Sequence, residues 1–480
     1  MPDAPIPPGQ PRKKLAIVSS WNENCGNASY TYALKREFER HYDVTILPLD
    51  LFLLQKKSRV FVRLGDEHID EMAKSLAGFD YVNIQFEAGL YGARIDDMRR
   101  RILRLLDAAP NVILTMHRVD LPTATVVGDF WEALYNLDPK RFFANRYRAE
   151  FPALYEDIVL HARRLAARKN VWIMVHTKRE RRVVEAAFKM RNVVDFPLAF
   201  LDAETRRRTI DTVDPEAIRQ RYSLPPGAKT IGAFGYIAEY KGFELLIEAI
   251  SVLPPDWYLI VAGSQHPQSV QAWSEIDPYL DLLLQRMTGR SFRKAIVSGA
   301  AEPEKARRHR TDFRDLSAGL RVNASVADLS ALRDDARALM DRVRFIGNVD
   351  DDEFTFLLRN VDATVLPYLE VGQSMSGVVS LAIESGARLF CSNNLSFAEA
   401  RRYFGQVFGN FDIGNYVEVA QKVQFDRTDY TAARERAYAR YNISRSIDLH
   451  RHLFEHHAPP APGWIEAAWI EAAATESTPA

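Results

Sequence analysis

The sequence predicts an α/β protein with two Rossmann-like, doubly wound parallel sheets, each in a domain of its own. Short apolar segments rich in β-branched residues alternate with helical segments along the chain, which is typical of parallel strands joined by crossover helices. The alternation occurs twice, on either side of a polar stretch from Leu201 to Gly227. With 480 residues, the chain is too long for one ordinary hydrophobic core, which also favours two domains.

Apolar segments in both halves of the chain are predicted to be strands. In chain order they are KLAIVSSW, VTILPL, YVNIQFE, NVILTMH and VWIMVHT, then TIGAFG, WYLIVAG, VRFIGN, ATVLPY and ARLFCS. A charged stretch over 264–342 interrupts the second series and is predicted to be a helical insertion. We expect a mobile tail over 1–13, a first domain over 14–205, a second domain over 206–440, a helix over 441–457 that could cross back, and a tail over 458–480.

The composition excludes several classes of protein. Lys and Arg together number 63, as do Asp and Glu, so no excess of positive charge points to nucleic acid. Cys25 and Cys391 are too few for a disulfide framework, which suits a reducing cytoplasm. No apolar run reaches the roughly 18–20 residues that a membrane-spanning helix needs, and the Pro-rich start lacks the apolar centre of a signal peptide. We therefore expect a cytoplasmic protein that does not bind nucleic acid.

The segment GAFGYIAEYKGFELLIEAI predicts an anion site. An apolar strand ends near Gly235, and Lys241 and Gly242 then precede an amphipathic helix. A cation is electrostatically unfavourable at a helix N-terminus, whereas an anion is favoured there. Lys241 is therefore a candidate for binding an anionic ligand; the alternative is a solvated lysine in a loop.

The segment GQSMSGVVSLAIESG, from Gly372 to Gly386, lies between two predicted strands. Its small residues form a turn at a strand's carboxyl end, where backbone N–H groups and the helix dipole favour an anion. Glu384 then lies alone on an apolar helix, which makes it a candidate ligand-binding residue. The alternative is a capped helix with a half-exposed glutamate.

The turn after the first strand, NENCGNASYT, is a weaker candidate. Gly26 permits a tight turn close to a ligand, and Asn27 or Ser29 can cap the helix that follows. An ordinary strand-to-helix turn is the alternative.

Glu87 and His117 end two predicted strands of the first half, and His176 ends a third. All three are therefore expected at the carboxyl edge of the first sheet, where doubly wound folds build their sites. We take Glu87 and His117 as candidates and His176 as a lesser one. A histidine with a structural role is the alternative.

Several catalytic motifs are missing from the sequence. No set of His, Cys and Asp residues has metal-ligand spacing, and Asp350–Asp352 precede a helix that they are expected to cap. Neither a GxSxG motif nor a Walker loop occurs. The sequence therefore offers no parts for nucleophile–base hydrolysis or for ATP-driven phosphoryl transfer.

Taken together, these segments resemble the family 4 retaining glycosyltransferases, which have the GT-B fold. WNENCGNASYT resembles the family's CGIAxYT turn, VNIQFEAGLYG its QxExGxF segment, and FGYIAEYKG the FGxxxxYKG variant of its lysine motif. VRFIGNVDDDEFTFLLRNVDATVLPY resembles the stretch before the family's donor loop. The resemblance extends from about Leu15 to Phe454.

The resemblance implies a GT-B architecture, with two Rossmann-like domains facing a cleft. It also implies a hexosyltransferase-like enzyme of polysaccharide or glycoconjugate synthesis. Such an enzyme would transfer a sugar, with retention, from a nucleotide-diphosphate donor to a glycan, lipid-linked or other acceptor. Neither a metal nor another cofactor would be required.

By motif position, Lys241 would bind the leaving diphosphate, Glu384 the ribose hydroxyls and His117 a hydroxyl of the transferred sugar; these are the candidate catalytic residues. Gly26 and Asn27 would approach the diphosphate. Glu87 is assigned to the acceptor. The remaining candidate donor-binding residues are Tyr236, Val349, Gln373, Ser374, Met375, Ser376, Gly377 and Val378.

The sequence departs from the family pattern at two positions. Ser376 replaces the first glutamate of the family's Glu-x7-Glu motif, and Gln373 or Ser374 could take over its contact with the sugar. Tyr236 stands where an arginine often precedes the lysine. These departures favour the alternative of a catalytically weak nucleotide-sugar-binding protein. A sugar-nucleotide epimerase or a glycan phosphorylase on the same fold is the other alternative.

Two Arg-rich helical segments, 94–107 and 162–169, raise the question of membrane contact. They could rest on anionic lipid at the inner face of a membrane, with Leu and Ile beneath the charges. A solvated helix face is the alternative.

Overall fold

The protein folds into two compact units. One contains the described residues up to Asp202 together with those from Ala439 onward, and the other is Ala203–Tyr438. The computed structural model describes residues 11–23, 25–120, 131–132, 134–137, 139–265, 276–288, 339–369, 374–461 and 463–465.

The first unit contains a parallel sheet in the order β2-β1-β3-β4-β5-β6. Its strands are β1 Lys14–Ser19, β2 Asp43–Pro48, β3 Tyr81–Phe86, β4 Val112–Met116, β5 Val171–Val175 and β6 Val193–Asp195. The helices of this unit are α1 Gly26–Phe38, α2 Leu51–Leu54, α3 Arg59–Leu76, α4 Ala88–Tyr91, α5 Ile95–Ala108, α6 Pro139–Ala166, α7 Lys178–Phe188 and, at the end of the chain, α17 Ile443–His456.

The central strands of this sheet are buried on both faces. All residues of β4 and β5 are buried, as expected of continuous apolar runs in a parallel sheet that helices cover on each side. On one side, Ile69 and Leu76 of α3 pack with Ile102 and Leu105 of α5 in the hydrophobic core. The carboxyl ends of these strands are thus held on a rigid support.

Helix α17 packs in the first unit although it comes last in the chain. The ring of Phe454 stacks on Tyr81 at 4.9 Å between centroids. The Ser444 hydroxyl donates a hydrogen bond of 2.6 Å to the carboxylate of Glu37. The chain therefore returns to its first unit after completing the second.

The second unit contains a parallel sheet in the order β12-β11-β10-β7-β8-β9. Its strands are β7 Lys229–Phe234, β8 Trp257–Ala262, β9 Val343–Gly347, β10 Ala363–Leu366, β11 Leu389–Ser392 and β12 Gly409–Phe411. The accompanying helices are α8 Ala203–Asp211, α9 Pro215–Arg221, α10 Phe243–Val252, α11 Pro278–Thr288, α12 Asp351–Asn360, α13 Gly377–Glu384, α14 Leu395–Phe404, α15 Tyr416–Phe425 and α16 Thr431–Arg440, which runs past the end of the unit.

This strand order is that of the dinucleotide-binding Rossmann fold, in which the order reverses between the first and fourth strands. Here the reversal lies between β7 and β10, which are hydrogen-bonded neighbours. The predicted α/β fold with two Rossmann-like sheets is confirmed. Every predicted strand is present, and β6 and β12 are two short strands that were not predicted. Of the predicted insertion over 264–342, helix α11 is described, whereas 266–275 and 289–338 lie outside the described residues.

Candidate functional site

The loops that follow β7 and β10 meet at the reversal point of the second sheet. The β7 loop ends in a 3-10 helix, Glu239–Lys241, and Gly242, with a φ of +64°, is then the N-cap residue of α10. A Cβ atom at Gly242 would lie 2.3 Å from the carbonyl oxygen of Pro367, which follows β10. A glycine is therefore required for the two loops to touch, and this contact brings Lys241 next to Tyr368.

Lys241 is buried, with 5% of its surface exposed. Its Nζ donates a hydrogen bond of 2.5 Å to the Tyr368 hydroxyl and lies 3.9 Å from the centroid of that ring and 5.0 Å from that of Tyr240. In the part of the chain that the structure describes, it forms no ion pair. Burial lowers the pKa of Lys241 from 10.5 to about 7. A buried ammonium without a carboxylate is unfavourable, and a bound anion would stabilise it.

Tyr368 was missed by the sequence reasoning. Its hydroxyl joins Lys241 to the Ser376 hydroxyl, which is 3.3 Å away. Its backbone carbonyl accepts hydrogen bonds from the Ser392 hydroxyl at 2.6 Å and from Asn394 Nδ2 at 3.2 Å. The tyrosine is thus fixed at both ends. Its place at the end of the segment ATVLPY was the only signal in the sequence that could have indicated it.

Helix α13 begins beside this tyrosine. Ser376 is its N-cap residue and makes no side-chain capping hydrogen bond. Ser374, Met375 and Ser376 are buried, whereas Gly377 and Val378 are partly exposed. The first N–H groups of a helix have no partner within it, so this turn has the donors that the predicted anion site needs. The candidate Gln373 lies outside the described residues.

Glu384 is the last residue of α13 and is buried, with 4% of its surface exposed, rather than half-exposed. Its backbone carbonyl accepts a hydrogen bond of 3.1 Å from Arg206 Nε, and Arg206 also pairs with Glu435. Since α13 has eight residues, Glu384 lies about 12 Å from Ser376 at a rise of about 1.5 Å per residue. The structure thus joins Lys241 to the start of α13 and places Glu384 at the far end of the same helix.

The other candidates of the second unit lie in loops. Tyr236 follows β7, and Val349 lies between β9 and α12; both are partly exposed. Asp350 caps α12 as predicted, because its carboxylate accepts a hydrogen bond of 2.8 Å from the Glu353 N–H.

In the first unit, His117 and His176 lie side by side after β4 and β5. Their ring centroids are 5.0 Å apart, and the edge of Tyr30 contacts both rings. His117 Nε2 lies 2.8 Å from Gln85 Oε1, and His176 Nδ1 donates to the Phe196 carbonyl at 3.0 Å. Burial and the neighbouring His176 hold the pKa of His117 well below 6.5, and burial lowers the pKa of His176 to about 4. Both imidazoles are therefore neutral at pH 7.

Glu87 follows β3 and is the N-cap residue of α4, without a side-chain capping bond. Burial raises the pKa of Glu87 to about 7; Asp120 acts in the same direction and Arg118 opposes it. Its carboxylate forms no hydrogen bond or ion pair among the described residues. A carboxyl group that titrates near neutral pH is suited to exchange a proton with a ligand.

The predicted capping of α1 by Asn27 or Ser29 is wrong. The helix begins at Gly26, so both residues lie within its first turn; Cys25 is the N-cap residue and makes no side-chain capping bond. A Cβ atom at Gly26 would meet nothing within 4 Å, so neither space nor backbone conformation requires a glycine there. Among the described residues of this turn, Asn22 has a positive φ, +54°.

The described ranges contain neither a metal-binding cluster nor a helix suited to span a membrane. No three His, Cys, Asp or Glu side chains there are arranged to hold a metal ion. No described helix is both long enough and apolar enough to cross a membrane.

The two doubly wound units define the class of the fold, which is GT-B. No family model and no curated protein matches the sequence. Among solved structures, HepE of Anabaena in complex with UDP-glucose is similar at 13% identity and a TM-score of 0.51, covering 97% of this chain and 100% of its own.

Two further similar structures each cover 93% of this chain and 100% of their own. They are the sucrose-phosphate synthase of Thermosynechococcus elongatus, at 15% identity and a TM-score of 0.54, and the trehalose-6-phosphate synthase OtsA, at 11% and 0.56. At these identities the likeness shows the fold, while activity has to be argued from the site.

Proposed function

We propose that the protein is a glycosyltransferase that moves a sugar from a nucleotide-diphosphate donor to a glycan, lipid-linked or other acceptor. One observation carries the proposal: Lys241 is a buried lysine without a carboxylate partner in the described chain, and it lies at the reversal point of a Rossmann-like sheet beside the start of α13. Doubly wound sheets bind their ligands at such a point. The leaving nucleoside diphosphate has the negative charge that this position lacks.

The similar structures support a uridine diphosphate sugar as the donor. HepE is described in complex with UDP-glucose, and a trehalose-6-phosphate structure from E. coli with UDP-2-fluoro glucose. We extend this to the present chain as part of the proposal, together with transfer that retains the anomeric configuration and does not need a metal.

In the proposed reaction, the bond between the sugar and the diphosphate breaks, and negative charge grows on the departing phosphate oxygens. A charged Lys241 and the N–H groups at the start of α13 would stabilise that charge, which is the effect that usually contributes most to catalysis. Glu384 would bind the ribose hydroxyls, and His117 a hydroxyl of the sugar. The acceptor hydroxyl loses its proton as it bonds to the sugar, and the carboxylate of Glu87, the candidate group on the acceptor side, would take up that proton.

A nucleotide-sugar-binding protein with weak activity is the second candidate. The Ser376 hydroxyl, which replaces a carboxylate of the resembled family, is bonded to Tyr368. Donor turnover in the presence of an acceptor separates the two candidates, because only a transferase consumes the donor and forms a glycoside.

Calorimetric titration with UDP, GDP, ADP and their sugar conjugates tests the donor site. We expect one nucleotide to bind, and we expect Lys241→Ala and Glu384→Ala to abolish that binding. Lys229→Ala is a matched control, since Lys229 begins the same strand β7 at its opposite end and is paired with Asp256. If no nucleotide binds at millimolar concentration, the proposed function is wrong.

Contact with an anionic membrane stays a prediction. Ion pairs with aspartates already occupy the arginines at and within α5, which lowers the positive charge available to lipid. The paired residues are Arg94, Arg99, Arg100, Arg101 and Arg104. Flotation with vesicles of anionic lipid tests the contact, and protein that stays entirely unbound would exclude it.

A further inference from the structure

Strand β3 contains two amide side chains that are completely buried. Asn83 and Gln85 both have 0% of their surface exposed, and their spacing of two residues places them on one face of the strand. Gln85 Nε2 donates to Asn83 Oδ1, and Asn83 Nδ2 donates to the Thr115 hydroxyl at 3.5 Å. Buried polar groups are unfavourable unless their hydrogen bonds are satisfied. In this series each side chain donates to the next, from Gln85 through Asn83 to Thr115.

The orientation of the Gln85 amide in this series indicates which ring nitrogen of His117 carries the proton. Because the Gln85 amide nitrogen is directed to Asn83, its Oε1 is the atom that lies 2.8 Å from His117 Nε2. An amide oxygen only accepts hydrogen bonds, so with the Gln85 amide in this orientation Nε2 carries the proton. In the neutral ring Nδ1 then has a lone pair, and it makes no hydrogen bond within the described chain.

The surroundings of His117 keep the ring neutral. Among the described residues, the titratable side chains that face it are His176 after β5 and Tyr30 of α1. His176 is itself neutral, since it donates from Nδ1 to the Phe196 carbonyl and its buried Nε2 has no partner among the described residues. The described residues around His117 thus supply no carboxylate that would stabilise an imidazolium ion.

We infer that Gln85 is a positioning residue that fixes the Nε2–H tautomer of His117 and thereby presents Nδ1 as a hydrogen-bond acceptor. The group of the substrate that contacts Nδ1 must then be a donor, such as a hydroxyl. The inference rests on the proposed function in assigning that hydroxyl to the transferred sugar. A donor sugar that offers a hydroxyl there is therefore preferred to one that offers a carboxylate, whose oxygens would face the lone pair.

The tautomer is measured on the full chain without any ligand. Nitrogen-15 NMR of histidine-labelled protein, with the His117 signals assigned by their loss in His117→Asn, should show Nε2 protonated and Nδ1 bare between pH 6 and 8. Gln85→Met, which removes the acceptor without adding charge, should populate both tautomers. A proton on Nδ1 of the wild type, or an imidazolium ion at pH 7, would overturn the inference. Because no nucleotide is present, this result is independent of the proposed function.

The consequence for the sugar is measured by titrating UDP-glucose and UDP-glucuronate into wild type and Gln85→Glu. Wild type should bind UDP-glucose about tenfold more tightly than UDP-glucuronate, which is the typical cost of one charged group that lacks its hydrogen-bond donor. In Gln85→Glu the carboxylate stabilises the imidazolium ion, so the preference should narrow as the pH falls from 8 to 6. Gln421→Glu adds the same charge at an exposed position and should leave the preference unchanged.

Equal affinities of the two sugars in wild type would overturn the assignment to the sugar. If wild type binds neither nucleotide sugar, the proposed function fails, whereas the NMR experiment still decides the tautomer. Should Gln85→Glu not fold, the comparison of the two sugars in wild type and in Gln85→Met remains decisive.

Discussion

Raising the pH should weaken nucleotide binding steeply, because Lys241 must be charged to hold a diphosphate. Its pKa of about 7 in the free protein means that about half of the molecules are charged at pH 7 and about one in a hundred at pH 9. A diphosphate, fully ionised above pH 7, binds the charged form. We therefore expect the affinity to fall about fifty-fold from pH 7 to pH 9, close to tenfold for each unit at the upper end.

Titration calorimetry in two buffers of different ionisation enthalpy measures both the affinity and the number of protons taken up on binding. Near pH 8, binding should take up close to one proton, which Lys241 acquires as the anion arrives. Lys241→Arg is the matched variant: a guanidinium stays charged throughout this range, so any binding it retains should show no proton uptake and a flat pH profile. A wild-type affinity that does not change between pH 7 and 9 would refute the reasoning. It would mean that Lys241 does not lose a charge on which binding depends in this pH range.

Three further predictions concern Lys241, its neighbour Tyr368, and Glu87 of the first unit. Lys241→Met should raise the free energy of unfolding at pH 7 by up to about 5 kcal/mol, the equivalent of a pKa lowered from 10.5 to about 7. The gain should shrink as the pH rises from 7 to 10.5, a window in which the unfolded wild-type chain binds the extra proton. Tyr368→Phe keeps the ring beside Lys241 and removes the hydroxyl, so it should weaken nucleotide binding by about 1 kcal/mol, or about fivefold. Glu87→Gln should raise the thermal midpoint at pH 8 but not at pH 4, because burial raises the pKa of Glu87 from 4.5 to about 7 and so destabilises the fold above that window.

Thermal and chemical unfolding without nucleotide test the two stability predictions; a loss of stability in Lys241→Met at pH 7 would show that the lysine supports the fold. Tyr258→Phe, in β8 of the same unit, is the control for Tyr368→Phe and should leave calorimetric affinity unchanged. Equal affinities for all three proteins would exclude a role of the Tyr368 hydroxyl. For Glu87→Gln, an equal shift of the midpoint at both pH values would contradict a buried, titrating carboxyl group.

The strands and the fold class could be predicted because their signals are local. A run such as VWIMV is apolar at every position, and in a parallel sheet both faces of such a strand are covered. Lys241 could be recognised for the same reason, since an unfavourable cation before a helix is visible within a few residues. Strands β6 and β12 have three residues each, which is too short for any periodicity to appear.

The arrangement of the candidate sites depended on tertiary structure. Lys241 and Tyr368 are 127 positions apart, and they meet because β7 and β10 are neighbours at the reversal of strand order, which no local pattern specifies. Gln85 and His117 meet across β3 and β4 in the same way. Burial then lowers the pKa of Lys241 and keeps His117 neutral, since the loss of water from around a side chain depends on everything packed against it. The sequence by itself thus determined which segments form strands and which polar residues end them, while the order of the strands decided which of those residues touch and what charge they bear.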